Sequence, residues 1–440
     1  MPIEMNYDKD FVSGYEALTT FENKGTIPLT IAIKRGEDIC HLYNTKITSD
    51  IEESFFYVKK IILTLIWMVG GDEIIIKDNK EIYDYLVSQK DTDIELLNSA
   101  KGMETVFKVP FKYSFTTEEL KEKELVIPVS GDFKGQRIGL DLGGSDRKVS
   151  AVIDGKVVYS EEVLWLPKEQ SDWHYHYNGI VDSLKRAAAH LDHVDAIGVS
   201  TAGIVVNGEI AQSNLFIKVP EKDVSEHVRG IFQDIAKKEF QDVAIKVAND
   251  GDVTALGGSQ LYKKGNILGI AMGTSEAAGY CDNNSFNGWI NELGKVPMNY
   301  SLNSVKHYAT GIVGAGSEYL SQKGIIRLAR LAGFKFEGNL AKQLVDIQKI
   351  TNQGSPFLKK AYQDQGNYLA SSLALYSKFL KYNSVLSLGR VTTGLGGTIL
   401  IKKASETLSK YELHIDIIAV DEKFKRLGQS YAAASLLNSL

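Results

Sequence analysis

The sequence predicts an α/β protein, because one plan occurs twice along it. Residues 137–141 (RIGLD) read as a strand running into Gly143-Gly144-Ser145 and then into a second strand. Residues 267–280 (ILGIAMGTSEAAGY) repeat the strand, glycine turn and strand about 130 residues later. Residues 1–135 show no such glycine loop. They carry 16 Lys/Arg against 24 Asp/Glu and read as a further α/β segment set before the repeat.

The length of 440 residues suggests two or three domains with ample core. A net charge of −5 gives no electrostatic case for nucleic acid or an anionic membrane. Cys40 and Cys281, far apart in sequence, make neither a zinc framework nor a disulfide scaffold, and fit a reducing cytoplasm. Residues 1–10 are polar and acidic, unlike a signal peptide. The most apolar run, residues 61–71 (IILTLIWMVGG), is about half the ~20 residues of a spanning helix and reads as buried core.

Within the N-terminal segment, residues 107–113 (FKVPFKY) and 73–77 alternate like strands. Residues 80–88 read as a short amphipathic helix, and Thr116-Thr117-Glu118-Glu119 as the cap of another. Residues 121–124 are a mixed charge run and read as a solvated face. A linker is expected over 128–136, rich in turn formers. Strands follow at 149–153 and 156–161, joined by Asp154-Gly155, a hairpin signal. A helix is expected at 180–191, strands at 196–200 and 243–247, and a helix at 253–262. Helices at 318–331 and 368–380, a strand at 385–388 and a last helix at 427–438 complete the pattern.

Four places carry chemistry. Gly143-Gly144-Ser145 lets the backbone turn tightly and bring N–H groups to phosphate oxygens, with Ser145 adding a hydroxyl. Asp141, at the strand end, is placed to hold a metal-bound water, so Mg²⁺ is expected near it. Gly273-Thr274-Ser275 is a second such turn, and Gly394-Leu395-Gly396-Gly397 stands before a helix, where a nucleotide can lie against the backbone. Asn249-Asp250 ends a strand and precedes a helix. Ligands gather at the carboxyl ends of strands in open α/β sheets, and a carboxylate there can take the proton of an attacking hydroxyl. Asp250 also fits a plain N-cap, and each glycine site alone fits a turn or tight packing.

In order, IGLDLGGSDRKVSAVIDGKVV, AIGVSTAGIV, VAIKVANDGDVTALGG, GIAMGTSEAAGY, GWINELGKV and SLGRVTTGLGGTIL resemble the successive motifs of ROK-family proteins, over about residues 137–440. The resemblance implies a two-lobed actin-like ATPase fold, with duplicated ribonuclease-H-like lobes and nucleotide in the cleft, preceded here by the extra α/β segment. It implies residues 136–262 with the C-terminal helix 425–440 as a first lobe, and 263–424 as a second. It implies ATP and Mg²⁺ as cofactors, a small-molecule sugar as substrate, and Asp250 as base. Asn249, Glu292 and, through an alignment needing one extra residue, Glu318 would hold sugar hydroxyls. Gly143, Gly144, Ser145, Gly273 and Thr274 would meet phosphates, and Gly396 and Gly397 would border the adenosine.

Two departures from the family pattern stand out. Its Cys-x-Cys-Gly-x-x-Gly-Cys segment corresponds to HYATGIVGAGSEYL from His307, without cysteine, so no structural zinc is expected. Lys295 replaces the histidine of the Gly-Glu-x-Gly-His motif, either as a surface lysine or as a cation facing an anionic substrate or phosphate. His174 and His176 are two histidines where a metal site needs three or four ligands. Three functions remain open: a sugar kinase, a non-catalytic sugar sensor or regulator, and a chaperone-like ATPase. The acidic N-terminal segment lacks the basic footprint of a DNA-binding domain. The oligomeric state is open, a homodimer included.

Overall fold

The protein is described here from a computed structural model covering residues 2–420 and 422–437. Helix α1 (Gly14–Lys24) leads into the antiparallel strands β1 (Ile27–Arg35) and β2 (Ile39–Ile47). Helix α2 (Ile51–Met68) starts at Asp50, whose carboxylate accepts from the Glu52 and Glu53 N–H groups. Its apolar run is core, as expected, with Ile61, Ile62, Leu63, Leu65 and Ile66 shut off from solvent. Among the described residues no helix is long and apolar enough to cross a membrane.

Strand β3 (Glu73–Lys77), helices α3 (Lys80–Gln89) and α4 (Ile94–Phe107), and strand β4 (Lys112–Thr116) complete a sheet of order β2-β1-β3-β4, with β4 parallel to β3. Two expectations fail here. The strand read over 107–113 is the end of α4, a left-handed cap at Lys108 and the start of β4; alternation across a helix end imitated a strand. Thr116 starts no helix: its hydroxyl accepts from the Glu118 N–H in a local turn. The charge run 121–124 is exposed, as expected.

Strands β5 (Gln136–Leu142), β6 (Asp146–Ile153) and β7 (Lys156–Leu164) form an antiparallel meander. Asp154 and Gly155, both at positive φ, make the expected hairpin turn. Helix α5 (Trp173–Ala188), strand β8 (Ala196–Thr201), helix α6 (Ile231–Glu239) and strand β9 (Ala244–Asn249) follow. Both β8 and β9 run parallel to β5, giving the order β9-β8-β5-β6-β7. Helix α7 (Asp250–Tyr262) starts directly after β9.

Strands β10 (Ile267–Met272) and β11 (Glu276–Cys281) repeat the opening hairpin. With β12 (Ser384–Leu388) and β13 (Asp416–Ala419) they form a further sheet of order β11-β10-β12-β13. This repeats the order β6-β5-β8-β9 without a counterpart of β7: Ser285–Phe286 pairs with Ile127–Pro128 instead. Helices α8 (Gln322–Leu331), α9 (Leu340–Asn352), α10 (Pro356–Tyr376), α11 (Gly394–Lys410) and α12 (Glu422–Ala434) complete the chain. The helix expected from 318 starts later, because Ser321 is its N-cap. Residues 438–440 of the expected last helix lie outside the described residues.

By packing, the chain divides into two compact units: Met1–Leu125 with Ile270–Ala278 and Asn291–Ala419, and Val126–Gly269 with Gly279–Ile290 and Val420–Leu440. Residues 1–125 are therefore not a unit of their own. They share one with the 273–275 turn and with Glu292, whereas the expected division set 1–135 apart. In the other unit α12 packs on β5 and β8. Only glycine permits this, since a Cβ at Gly139 would lie 1.8 Å from the Ser430 carbonyl oxygen and one at Gly198 1.7 Å from that of Ala433.

Candidate active site

In the unit containing residues 126–269, parallel register gathers the candidate residues at one sheet end. Asp141, Ser200 and Ala248 lie in one row across β5, β8 and β9, and Leu142, Thr201 and Asn249 in the next. Asp250 follows immediately, and the turn 143–145 leaves from the same end of β5. Asp141 is buried and accepts from the Ser200 hydroxyl at 2.6 Å. Burial pushes its carboxyl up to about 6, against the pull of that hydroxyl and of Lys148.

The alternative that Asp250 is a helix cap does not hold. The cap is Asn249, whose Oδ1 accepts from the Gly251 N–H at 2.7 Å while its Nδ2 donates to the Gly203 carbonyl at 2.7 Å. Asp250 is the first helical residue, half-buried, and its Oδ1 also meets the Gly251 N–H at 2.9 Å.

The two hairpin turns are alike. Each has three residues, 143–145 and 273–275, a half-buried glycine followed by two exposed positions. Gly143 N–H donates to the Asp146 carbonyl at 2.9 Å and Gly273 N–H to that of Ser275 at 3.0 Å. Neither packing nor backbone conformation demands glycine at 273. Its φ is not positive, and an added Cβ would make only an ordinary 3.7 Å contact with Ser275. At Gly144 a Cβ would meet only the flexible tip of Lys168, at 3.2 Å. Trp165 braces the first turn, its indole N–H donating to the Gly143 carbonyl at 2.8 Å and its backbone N–H to that of Ser145 at 3.1 Å.

Gly396 and Gly397 differ. Both are buried in the first turns of α11, where a Cβ would strike the Tyr362 ring at 2.3 Å and the Thr392 carbonyl at 2.0 Å. Helix packing alone accounts for these two glycines. Gly394, at φ +65°, is exposed.

In the unit containing residues 291–419, Glu292 and Lys295 form an ion pair at 3.2 Å, and the Lys295 ammonium lies 4.2 Å from the centre of the Trp67 ring. Lys295 is thus not a plain surface lysine. Glu318 is buried and paired with Lys323 at 2.6 Å. Glu276, directly after the second turn, is buried and its carboxyl is pushed up to about 8 by that burial, a hydrogen bond from the Tyr376 hydroxyl at 3.3 Å pulling the other way. Burial, with Lys295 and Lys323 nearby, takes His307 down to about 4, so its ring is neutral at pH 7.

Of the histidine pair His174 and His176, His176 is buried with Nε2 at 2.9 Å from the Leu215 carbonyl and 3.1 Å from that of Pro167, while His174 is exposed beside Asp172. Sequence reasoning missed Lys168, Trp67 and Glu276. Lys168 stands in a segment with no motif, and nothing local marks a lysine that will fold back onto a turn more than twenty positions earlier.

No family model matches the chain, and no curated protein matches it. Solved structures do. A ROK hexokinase from Thermus thermophilus is 18% identical, with TM-score 0.53, over 69% of this chain and 97% of that one. A ROK family glucokinase from Streptomyces griseus, in complex with glucose and AMPPNP, is 16% identical with TM-score 0.51, over 69% and 99%. A ROK family transcriptional regulator, a homolog of the E. coli MLC protein, is 17% identical with TM-score 0.55, over 69% and 79%. The chain thus has the α/β fold shared by ROK-family sugar kinases and by at least one regulator. The likeness reaches the fold, which does not by itself separate those roles.

Proposed function

We propose that this protein is a ROK-family sugar kinase that transfers the γ-phosphoryl group of ATP to a hydroxyl of a sugar or sugar-like acceptor. The observation that carries this reading is the pair of equivalent three-residue turns, with glycines at 144 and 273 that protein packing does not require. Glycine free of a packing role is what close approach of phosphate oxygens to the backbone needs. Gly143, Gly144, Ser145, Gly273 and Thr274 bind the phosphates. Gly396 and Gly397 shape the floor beside the adenosine through their packing.

Asp250 takes the proton of the acceptor hydroxyl as that oxygen attacks the γ-phosphorus; the bond to the β–γ bridging oxygen breaks and ADP leaves. Asn249, Glu292 and Glu318 hold acceptor hydroxyls, and Lys295 orients Glu292. Mg²⁺ neutralises the phosphates when bound. Asp141, a carboxylate at the strand end beside the first turn, would accept from a water on that ion.

A sugar sensor or regulator on the same fold is the second reading. It is favoured by the engagement of both acceptor-side carboxylates in ion pairs with lysines, Glu292 with Lys295 and Glu318 with Lys323. Calorimetric titration with Mg²⁺·ATP, with and without glucose, tests the kinase reading. Saturable nucleotide binding is expected, and its absence under every condition rejects it.

A further inference from the structure

We infer that residues 1–125 act as a frame that fixes the loops carrying Glu292 and Glu318, with the buried Lys60–Glu95 pair as its positioning residues. The contacts stand by themselves; the effect on sugar binding rests on the kinase reading.

The first loop hangs on the end of α2. The carbonyls of Trp67 and Met68, left without helical partners at a helix C-terminus, accept from Glu292 N–H at 2.9 Å and Asn291 N–H at 3.0 Å. The Trp67 ring lies under Lys295, which in turn pairs with Glu292. One helix end thus sets both the backbone and the side-chain charge of the motif.

The second loop, residues 307–315, has no regular secondary structure beyond isolated bridges and turns. It is seized at one residue by both backbone groups: Glu95 Oε1 accepts from Val313 N–H at 2.8 Å, and Lys60 Nζ donates to the Val313 carbonyl at 3.2 Å. Asn98 Nδ2 donates to the Thr310 carbonyl at 3.3 Å. Glu318 follows five residues after Val313.

Lys60 is 2% exposed and Glu95 5%. Burying two charges is costly, and an apolar pair of like volume often serves stability as well or better. A buried pair that also grips both backbone groups of one loop residue is better suited to fixing position than to holding a core together. Burial alone would raise the Glu95 carboxyl. Lys60, Lys59 and the Val313 N–H overturn that and keep it below the usual range. Lys59 adds ion pairs to Glu95 at 2.5 Å and to Asp93 at 2.7 Å.

The test uses the full chain carrying Lys60→Met with Glu95→Leu, which removes both charges together and leaves neither stranded. Asn98→Ala is the milder second variant. Amide hydrogen exchange is read along the chain, and calorimetry and kinetics are run with glucose and Mg²⁺·ATP. Exchange over 307–318 should quicken by about tenfold or more in the double variant, while the 273–275 turn is unchanged. The constant for glucose should weaken by about tenfold, with that for ATP and kcat within about threefold, and Asn98→Ala should move the same readouts less. Unaltered exchange over 307–318, or equal weakening of glucose and ATP, overturns the frame. A wild type without turnover, whose double variant still loosens 307–318 alone, rejects the kinase reading and keeps the frame.

Discussion

The Lys295 ammonium sits 4.2 Å from the centre of the Trp67 ring and 3.2 Å from the Glu292 carboxylate, so one lysine ties the N-terminal segment to an expected acceptor ligand. A cation over tryptophan is worth about 0.5–2 kcal/mol, depending on how far it is desolvated, and the Lys295 side chain is 20% exposed. Lys295→Ala is expected to lower the thermal midpoint by about 2–4 °C and to weaken sugar binding, because Glu292 loses its orienting partner. Thermal unfolding and sugar titration check this. An unchanged midpoint returns Lys295 to the role of a surface lysine.

Asp250→Asn separates chemistry from folding, because Asn249 and not Asp250 caps α7. The variant is expected to fold and bind nucleotide as the wild type does, and to lose ~10²–10⁴ in turnover. Turnover within a few-fold of wild type would mean that Asp250 is not the base.

Asp141 gives the account a pH signature. Its carboxyl stands at about 6 in the fold against 3.8 unfolded, so the fold favours the neutral acid. The resulting stability is fully present below about pH 4 and is lost as pH rises through about 6. Asp141→Asn should therefore stabilise the protein at pH 7–8, by at most on the order of 3 kcal/mol, and change little at pH 4. Denaturant melts at the two pH values read the difference. In the wild type the same ionisation should give turnover an acidic limb near pH 6, as Asp141 gains the charge that would hold a water on the bound ion. A stability gain that persists at pH 4 contradicts the assignment.

Lys168, next to Gly144, is expected to help hold phosphate. Lys168→Ala should weaken ATP binding by about threefold to tenfold, since a charge-assisted contact at an exposed site is worth on the order of 1 kcal/mol. The loss should shrink at high salt. Titrations at two ionic strengths decide, and a sugar constant that moves as much as the ATP constant places Lys168 elsewhere.

Zinc content is a further check. The segment from His307 carries no cysteine, and His307 spends Nδ1 on Thr310, 3.0 Å from its hydroxyl. Elemental analysis of protein purified without added metal should find well below one zinc per chain. A near-equimolar content would show that the 307–318 segment has been misread.

Local signals carried the strand–turn–strand units. Asp154-Gly155 fixed a hairpin, and the glycine turns after two buried strands marked equivalent loops, because backbone conformation and strand burial are written in short stretches. Residues 107–113 misled because a helix end followed by a strand alternates in polarity much as a strand does. The partnership of 1–125 with Glu292 was not legible. It depends on Trp67 and Met68 carbonyls meeting a loop more than two hundred residues away, and backbone carbonyls leave no trace in side-chain identity. The packing role of Gly396 and Gly397 was not legible either, since a motif glycine and a packing glycine look the same until Tyr362 and Thr392 are seen beside them.

The most direct test of the central claim is acceptor-dependent ADP release, measured with Mg²⁺·ATP across neutral, amino and acidic sugars. At least one sugar is expected to drive ADP formation well above the sugar-free rate, with a phosphorylated sugar formed in equal amount. A protein that binds both ATP and a sugar yet releases no ADP with any of them would contradict the kinase reading and favour the sensor.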